Sequence, residues 1–265
     1  MAHAVVHFEI GGPDEDQLAE FYQGLFGWDM RPIPDIGYTL VDTCGGAGIN
    51  GGLARRADGS AEITFYVQAD DLQSVLDKVN LLGGKTETPI TELPGMATFA
   101  KFEDPDGLVL GLVLGPADPG PAAARPDAST GAAAAPGASP ALAPSAGAGA
   151  PVDWFEVLGS DGAQSLRFVA EIFGWRSGQD AAPYRMVDTG SERGIRGGVG
   201  TGQQGNWVTV YARVPDVEAA LMRAAELGGS REYGPMAAAE HMQTGAVRDP
   251  AGNVFGVYAQ TGPGS

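Results

Sequence analysis

Two carboxylates, Glu9 and Glu156, stand in matching contexts, HFEI and WFEV. Alternate side chains share one face of a β-strand, so His7 lies beside Glu9, and Trp154 beside Glu156. Phe8 and Ile10 take the opposite face and pack on helices, which turns His7 and Glu9 inward toward a cleft. A carboxylate serves as general base near pH 7 only where burial raises its pKa. Otherwise it is a hydrogen-bonded structural group. Glu9 and Glu156 are therefore the candidate catalytic residues, with both roles open. Further along, Thr64 shares a face with Tyr66, and Thr209 with Tyr211. Trp207 could stack on a planar ligand or fill the interior. His241, in AAEHMQTG, could line a cleft or face solvent.

A second pattern concerns glycine. FEDPDGLVLG and VRDPAGNVFG each carry a tight Asp-Pro turn into a strand that holds a glycine, Gly111 or Gly256. Glycine inside a strand weakens it and marks a bulge or a close approach to the backbone. Its recurrence at one offset points to a common cause.

The elements that position these residues are written twice. HFEIGGPDEDQLAEFYQGLFGW matches WFEVLGSDGAQSLRFVAEIFGW, with Trp28 and Trp175 147 positions apart. YTLVDTCGGAGINGGL matches YRMVDTGSERGIRGGV, and Asp104 matches Asp249. This is an internal duplication of a domain-sized unit. In each copy a β-branched run predicts a strand, and Asp14 or Asp161 then caps a helix with a glutamine three residues on. Leu18, Phe21, Tyr22, Leu25 and Phe26 recur at helical spacing, and Gly27 or Gly174 fits the left-handed stop. Short strands follow near Tyr38 and Gly51, then another strand, a second helix closed by LGG, and the strands around the Asp-Pro turn. Each copy thus reads as βαβββ twice over.

Between the copies, residues 117–151 are Ala, Pro and Gly with almost no large apolar side chain. Such a stretch cannot bury enough surface to offset its ordering entropy, and it reads as a disordered linker. The domains expected are 1–116 and 152–262. The chain has 265 residues, 43% hydrophobic, with a formal charge of −17. That charge argues against nucleic acid or an anionic membrane as partner. No apolar run approaches the roughly 20 residues that span a bilayer, and the N-terminus lacks a basic region followed by an apolar block. A cytoplasmic monomer or homodimer is expected. Cys44, the single cysteine, excludes an internal disulfide and a thiolate metal cage. It reads as a turn residue or, alternatively, a nucleophile.

The helix ending FYQGLFGW, the terminal DPDG hairpin and the doubled βαβββ order resemble the vicinal oxygen chelate superfamily. That group holds glyoxalase I, extradiol dioxygenases, fosfomycin-inactivating enzymes and bleomycin-binding resistance proteins. The resemblance covers both copies and implies an α+β fold of two glyoxalase-like domains. Each would be a pair of βαβββ modules forming a curled mixed sheet with helices outside. In that family cleft-facing residues bind a divalent metal: a His on the first strand, a His or Glu on the first strand of the second module, and a Glu after the DPDG turn. Those positions fall here on His7, near Thr64 and on Gly111, and in copy two on Trp154, near Thr209 and on Gly256. A divalent metal wants at least three protein donors. Both clefts are thus expected to be metal-free and to use no cofactor, with the glycines leaving room for an organic ligand. The ligand-binding set is His7, Thr64, Tyr66, Gly111, Trp154, Trp207, Thr209, His241 and Gly256. The function implied is metal-independent binding of a small aromatic or polyketide-like metabolite, as a resistance or accessory protein of antibiotic metabolism. The alternative is an enzyme: a metal-free hydroxylase or isomerase, or a metal-dependent lyase or dioxygenase.

Overall fold

The computed structural model describes residues 3–33, 36–115, 149–178, 183–202, 205–239 and 241–260. Copy one runs β1 (Val5–Gly12), α1 (Glu15–Phe26), β2 (Asp29–Ile33), β3 (Tyr38–Asp42), β4 (Asn50–Arg55), β5 (Glu62–Ala69), α2 (Leu72–Leu81), β6 (Lys85–Leu93), β7 (Ala97–Glu103) and β8 (Val109–Leu114). Copy two repeats it as β9 (Val152–Gly159), α3 (Gly162–Phe173), β10 (Arg176–Ser177), β11 (Tyr184–Asp188), β12 (Arg196–Thr201), β13 (Trp207–Arg213), α4 (Val217–Glu226), β14 (Ser230–Ala239), β15 (Met242–Arg248) and β16 (Val254–Gln260). The expected βαβββ order is present four times.

Local chemistry sets these boundaries. The Asp14 carboxylate accepts from the Gln17 N–H at 3.0 Å, and Asp161 accepts from Ala163 and Gln164 N–H. Each bond satisfies helix-start donors that have no partner within the helix. At the far ends Gly27 and Gly174 both adopt φ 70°, the left-handed geometry that suits glycine. Asp71 and Asp216 cap α2 and α4 in the same way.

Two eight-stranded mixed sheets result, in the orders β2-β3-β4-β1-β5-β8-β7-β6 and β10-β11-β12-β9-β13-β16-β15-β14. Parallel pairing joins β1 to β4 and β5 to β8, while hairpin neighbours such as β7 and β8 run antiparallel. The fold is α+β, as expected, with one eight-stranded mixed sheet from each copy.

The helix-side packing follows a different division. The chain forms two compact units, and neither coincides with one copy. One unit joins copy one from Tyr66 onward to Val157–Trp207 of copy two; the other joins His7–Phe65 to the copy-two strands and helix from Val208 onward. In the first unit α2 lies on α3. There the Phe102 ring meets those of Phe168 and Phe173, each at 6.2 Å, and Trp175 Nε1 donates to the His3 carbonyl at 2.8 Å. In the second unit α1 lies on α4. Phe8, Tyr22, Phe26 and Trp28 surround Phe255 at 5.3–6.5 Å between ring centroids. The Tyr22 hydroxyl donates to the buried Asp249 carboxylate at 3.1 Å. On the helix side, apolar faces of one copy are thus covered by the other.

Of the stretch expected as a linker, residues 117–148 lie outside the described residues. Its last residues are anchored: the Ala150 N–H donates to the Phe26 carbonyl at 3.0 Å, and Trp28 Nε1 donates to the Ala150 carbonyl at 2.8 Å. Among the described residues no helix is long and apolar enough to cross a membrane.

Candidate functional site

The strand glycines have a physical cause, and it is not open space. Tyr211 and Gly256 are register partners on the parallel pair β13–β16, as are Tyr66 and Gly111 on β5–β8. In both places the tyrosine ring lies across the glycine, so that a Cβ at Gly111 or Gly256 would collide with Tyr66 or Tyr211. Tyr38 and Tyr184 repeat the arrangement over Gly52 and Gly198. The room expected above Gly111 and Gly256 is therefore taken by an aromatic ring of the neighbouring strand. Each module carries one tyrosine seated on one glycine. Tyr66 and Tyr211 are buried, at 5% and 6% exposure.

In copy two the seated tyrosine sits in a polar chain. The Tyr211 hydroxyl donates to the Glu156 carboxylate at 2.7 Å and lies 3.0 Å from the Tyr233 hydroxyl. With its single proton directed at Glu156, Tyr211 accepts from Tyr233. Burial first, and then the Glu156 charge, push the Tyr211 phenol well above its usual pKa. Burial also raises Tyr233, against the hydrogen bond to Tyr211. Both phenols therefore stay protonated at neutral pH. Thr209, fully buried, donates to the Val254 carbonyl at 2.7 Å. Trp154 and Trp207 are partly exposed. His241 is exposed beside the β14–β15 turn with φ 61°.

Copy one places different groups at these positions. His7 Nε2 is hydrogen-bonded to the Tyr38 hydroxyl at 2.8 Å. Burial lowers the His7 imidazole to about 4, against the opposing pull of the Glu9 carboxylate. Thr64 is fully buried, and Glu9 is partly exposed. Beside Tyr66 and Gly111 stands Lys101, only 5% exposed. Sequence reasoning missed Tyr38, Tyr184, Tyr233 and Lys101. The repeated GG in INGGL and IRGGV signalled the first two seats. Tyr233 and Lys101 carry no repeat signal, because their counterparts are Thr88 and Ala246.

The donor set does not fit a divalent metal. At the three expected positions copy one offers an imidazole engaged by Tyr38, a buried threonine and a glycine under a tyrosine ring. Copy two offers Trp154, a threonine engaged by Val254, and a glycine likewise covered. Among the described residues no three His, Cys, Asp or Glu side chains are grouped as a metal site requires.

Comparison with known proteins agrees with this architecture. Residues 4–112 match the model of the Glyoxalase/Bleomycin resistance protein/Dioxygenase superfamily. The anthracycline biosynthesis protein DnrV of Streptomyces peucetius is 26% identical over 94% of this chain and 90% of its own length. DauV of Streptomyces sp. (strain C5), also an anthracycline biosynthesis protein, is 25% identical over 86% of this chain and 83% of its own. Among solved structures, the Mn(II)-bound glyoxalase from Novosphingobium aromaticivorans superposes with a TM-score of 0.64 at 16% identity, covering 98% of this chain and 83% of that one. Homoprotocatechuate 2,3-dioxygenase from Brevibacterium fuscum gives 0.66 at 14%, covering 98% and 82%. At these identities the two structures show a shared fold and nothing about chemistry.

Proposed function

We propose that this chain, whose residues 4–112 match the glyoxalase/bleomycin resistance protein/dioxygenase model and whose second copy repeats the first, belongs to that superfamily and binds a small aromatic, polyketide-like metabolite without a metal. It would act as a resistance or accessory protein of antibiotic metabolism. The observation that carries this reading is the chain Tyr233–Tyr211–Glu156 above Gly256, the position at which the family resemblance implies a metal-binding glutamate. Two relatives bear names from anthracycline biosynthesis, which supports the ligand class.

The chain's own groups define how the ligand is held. The protons run one way, from Tyr233 to Tyr211 to Glu156, and Thr244 also bonds Tyr233, so each phenol oxygen keeps one lone pair to accept. The site therefore suits a ligand that presents a hydroxyl, such as a phenol, while the partly exposed Trp154 gives its rings an aromatic partner. The test is to titrate 1,8-dihydroxyanthraquinone against the protein and follow tryptophan fluorescence. Tyr211→Phe removes the central link of the chain, so binding should weaken about tenfold. Unchanged binding would refute the site.

The same directional chain favours one second reading, an acid–base enzyme in which a ligand proton passes through the two phenols to Glu156. Mass spectrometry of the recovered ligand separates the two. A binder returns it unchanged; an enzyme yields product, and Glu156→Gln then abolishes turnover while binding persists.

A further inference from the structure

The two copies differ at one coupled pair of positions. Thr88 on β6 is the register partner of Lys101 on β7, and Tyr233 on β14 is the partner of Ala246 on β15. A long residue faces a short one both times, but in opposite order. In copy two the long side chain comes from the outer strand and brings a phenol to Tyr211. In copy one it comes from the inner strand and brings an ammonium to Tyr66, with Lys101 Nζ 6.0 Å from the ring centroid.

The direction of Lys101 follows from alternation along β7. Ala100 and Phe102 are fully buried, and Phe102 meets the α3 rings of Phe168 and Phe173. Lys101 and Phe99 therefore leave the opposite face of the sheet, where Phe99 meets Tyr66 edge-on at 6.2 Å. Phe99 and its register partner Val113 are partly exposed, so solvent reaches the margin of this face.

From these positions we infer that the sheet face around Lys101, Tyr66 and Phe99 is a second small-molecule site, one that takes an aromatic ligand bearing an anionic oxygen. An ammonium carries three donors, so a neighbour that already engages Lys101 leaves others for a ligand. Charge-assisted hydrogen bonds strengthen where water is excluded, and a side chain 5% exposed provides that setting. Tyr66 and Phe99 supply ring edges and faces for the aromatic part. The same acid is disfavoured at Tyr211, where the neighbouring charge is the Glu156 carboxylate. The inference does not require the copy-two site to bind anything.

The full chain, labelled with 15N-glycine, is titrated with anthracene-9-carboxylate and with the neutral anthracene-9-methanol. Gly111 and Gly256 amide shifts then report the two faces separately. The carboxylate should shift Gly111 saturably and at least about tenfold more tightly than the alcohol does, leaving Gly256 unmoved. Lys101→Met keeps the stem and removes the charge, and should abolish that preference. No saturable shift at Gly111, or a preference for the acid that survives Lys101→Met, would overturn the inference. If Lys101→Met does not fold, the wild-type comparison of acid with alcohol at Gly111 decides alone. A silent Gly256 with both ligands would count against the copy-two reading only.

Discussion

Glu156, Tyr211 and His7 show how burial assigns roles at the scale of single residues. A buried phenol that donates to a carboxylate is held protonated, which makes Tyr211 a fixed link and not a titrating group near neutral pH. His7 behaves in the opposite sense, because its charged form is the one burial disfavours. Its pKa near 4 lies below the usual 6.5, so the unfolded chain takes up the proton first as the pH falls. The stability tied to neutral His7 is whole above pH 6.5 and is lost progressively down to pH 4, by at most about 3 kcal/mol. His7→Gln should flatten that part of the stability profile, measured by urea unfolding at pH 7 and pH 4.5. An unaltered profile would show that His7 titrates normally. The burial of Phe8 and Ile10 on one face of β1 was legible from simple alternation. The phenol chain was not, because Tyr233 belongs to one copy alone and lies 22 positions from Tyr211.

At the scale of elements, the informative unit is a tyrosine on one strand seated over a glycine on its neighbour. The sequence showed that Gly111 and Gly256 needed a cause, and the duplication showed that the cause was shared. It could not show which side chain covers them, since β5 and β8 are joined only through a crossover and their pairing is non-local. Open space above the glycines would have made Gly256→Leu harmless to folding. The seated ring reverses that expectation. Gly256→Ala should destabilise the protein by about 1–3 kcal/mol, because Tyr211 must leave its rotamer. In a Tyr211→Ala background the same change should cost much less, and a thermal double-mutant cycle measures the difference. Additive effects would mean that ring and glycine are energetically independent. The helices, by contrast, were legible to their ends, because Asp14, Gly27, Asp161 and Gly174 act locally.

For the whole molecule, duplication foretold two sheets but not the way in which the copies share their helix faces. α1 lies on α4 and α2 on α3, and the aromatic cluster around Phe255 draws its other rings from copy one. Periodicity tells which face of a helix is apolar and not which partner covers it. Proteolysis between residues 117 and 148 should therefore leave the two fragments co-migrating on size exclusion. Two separate, folded, monomeric halves would contradict the shared packing. The central claim, that ligand is held by the Tyr233–Tyr211–Glu156 chain in place of a metal, is tested most directly by calorimetry. 1,8-Dihydroxyanthraquinone is titrated into protein before and after exhaustive chelation, and then with Mn²⁺ or Fe²⁺ restored. Equal affinity in all three states, weakened by Tyr211→Phe, is the predicted result; binding or turnover that depends on the added metal would contradict it.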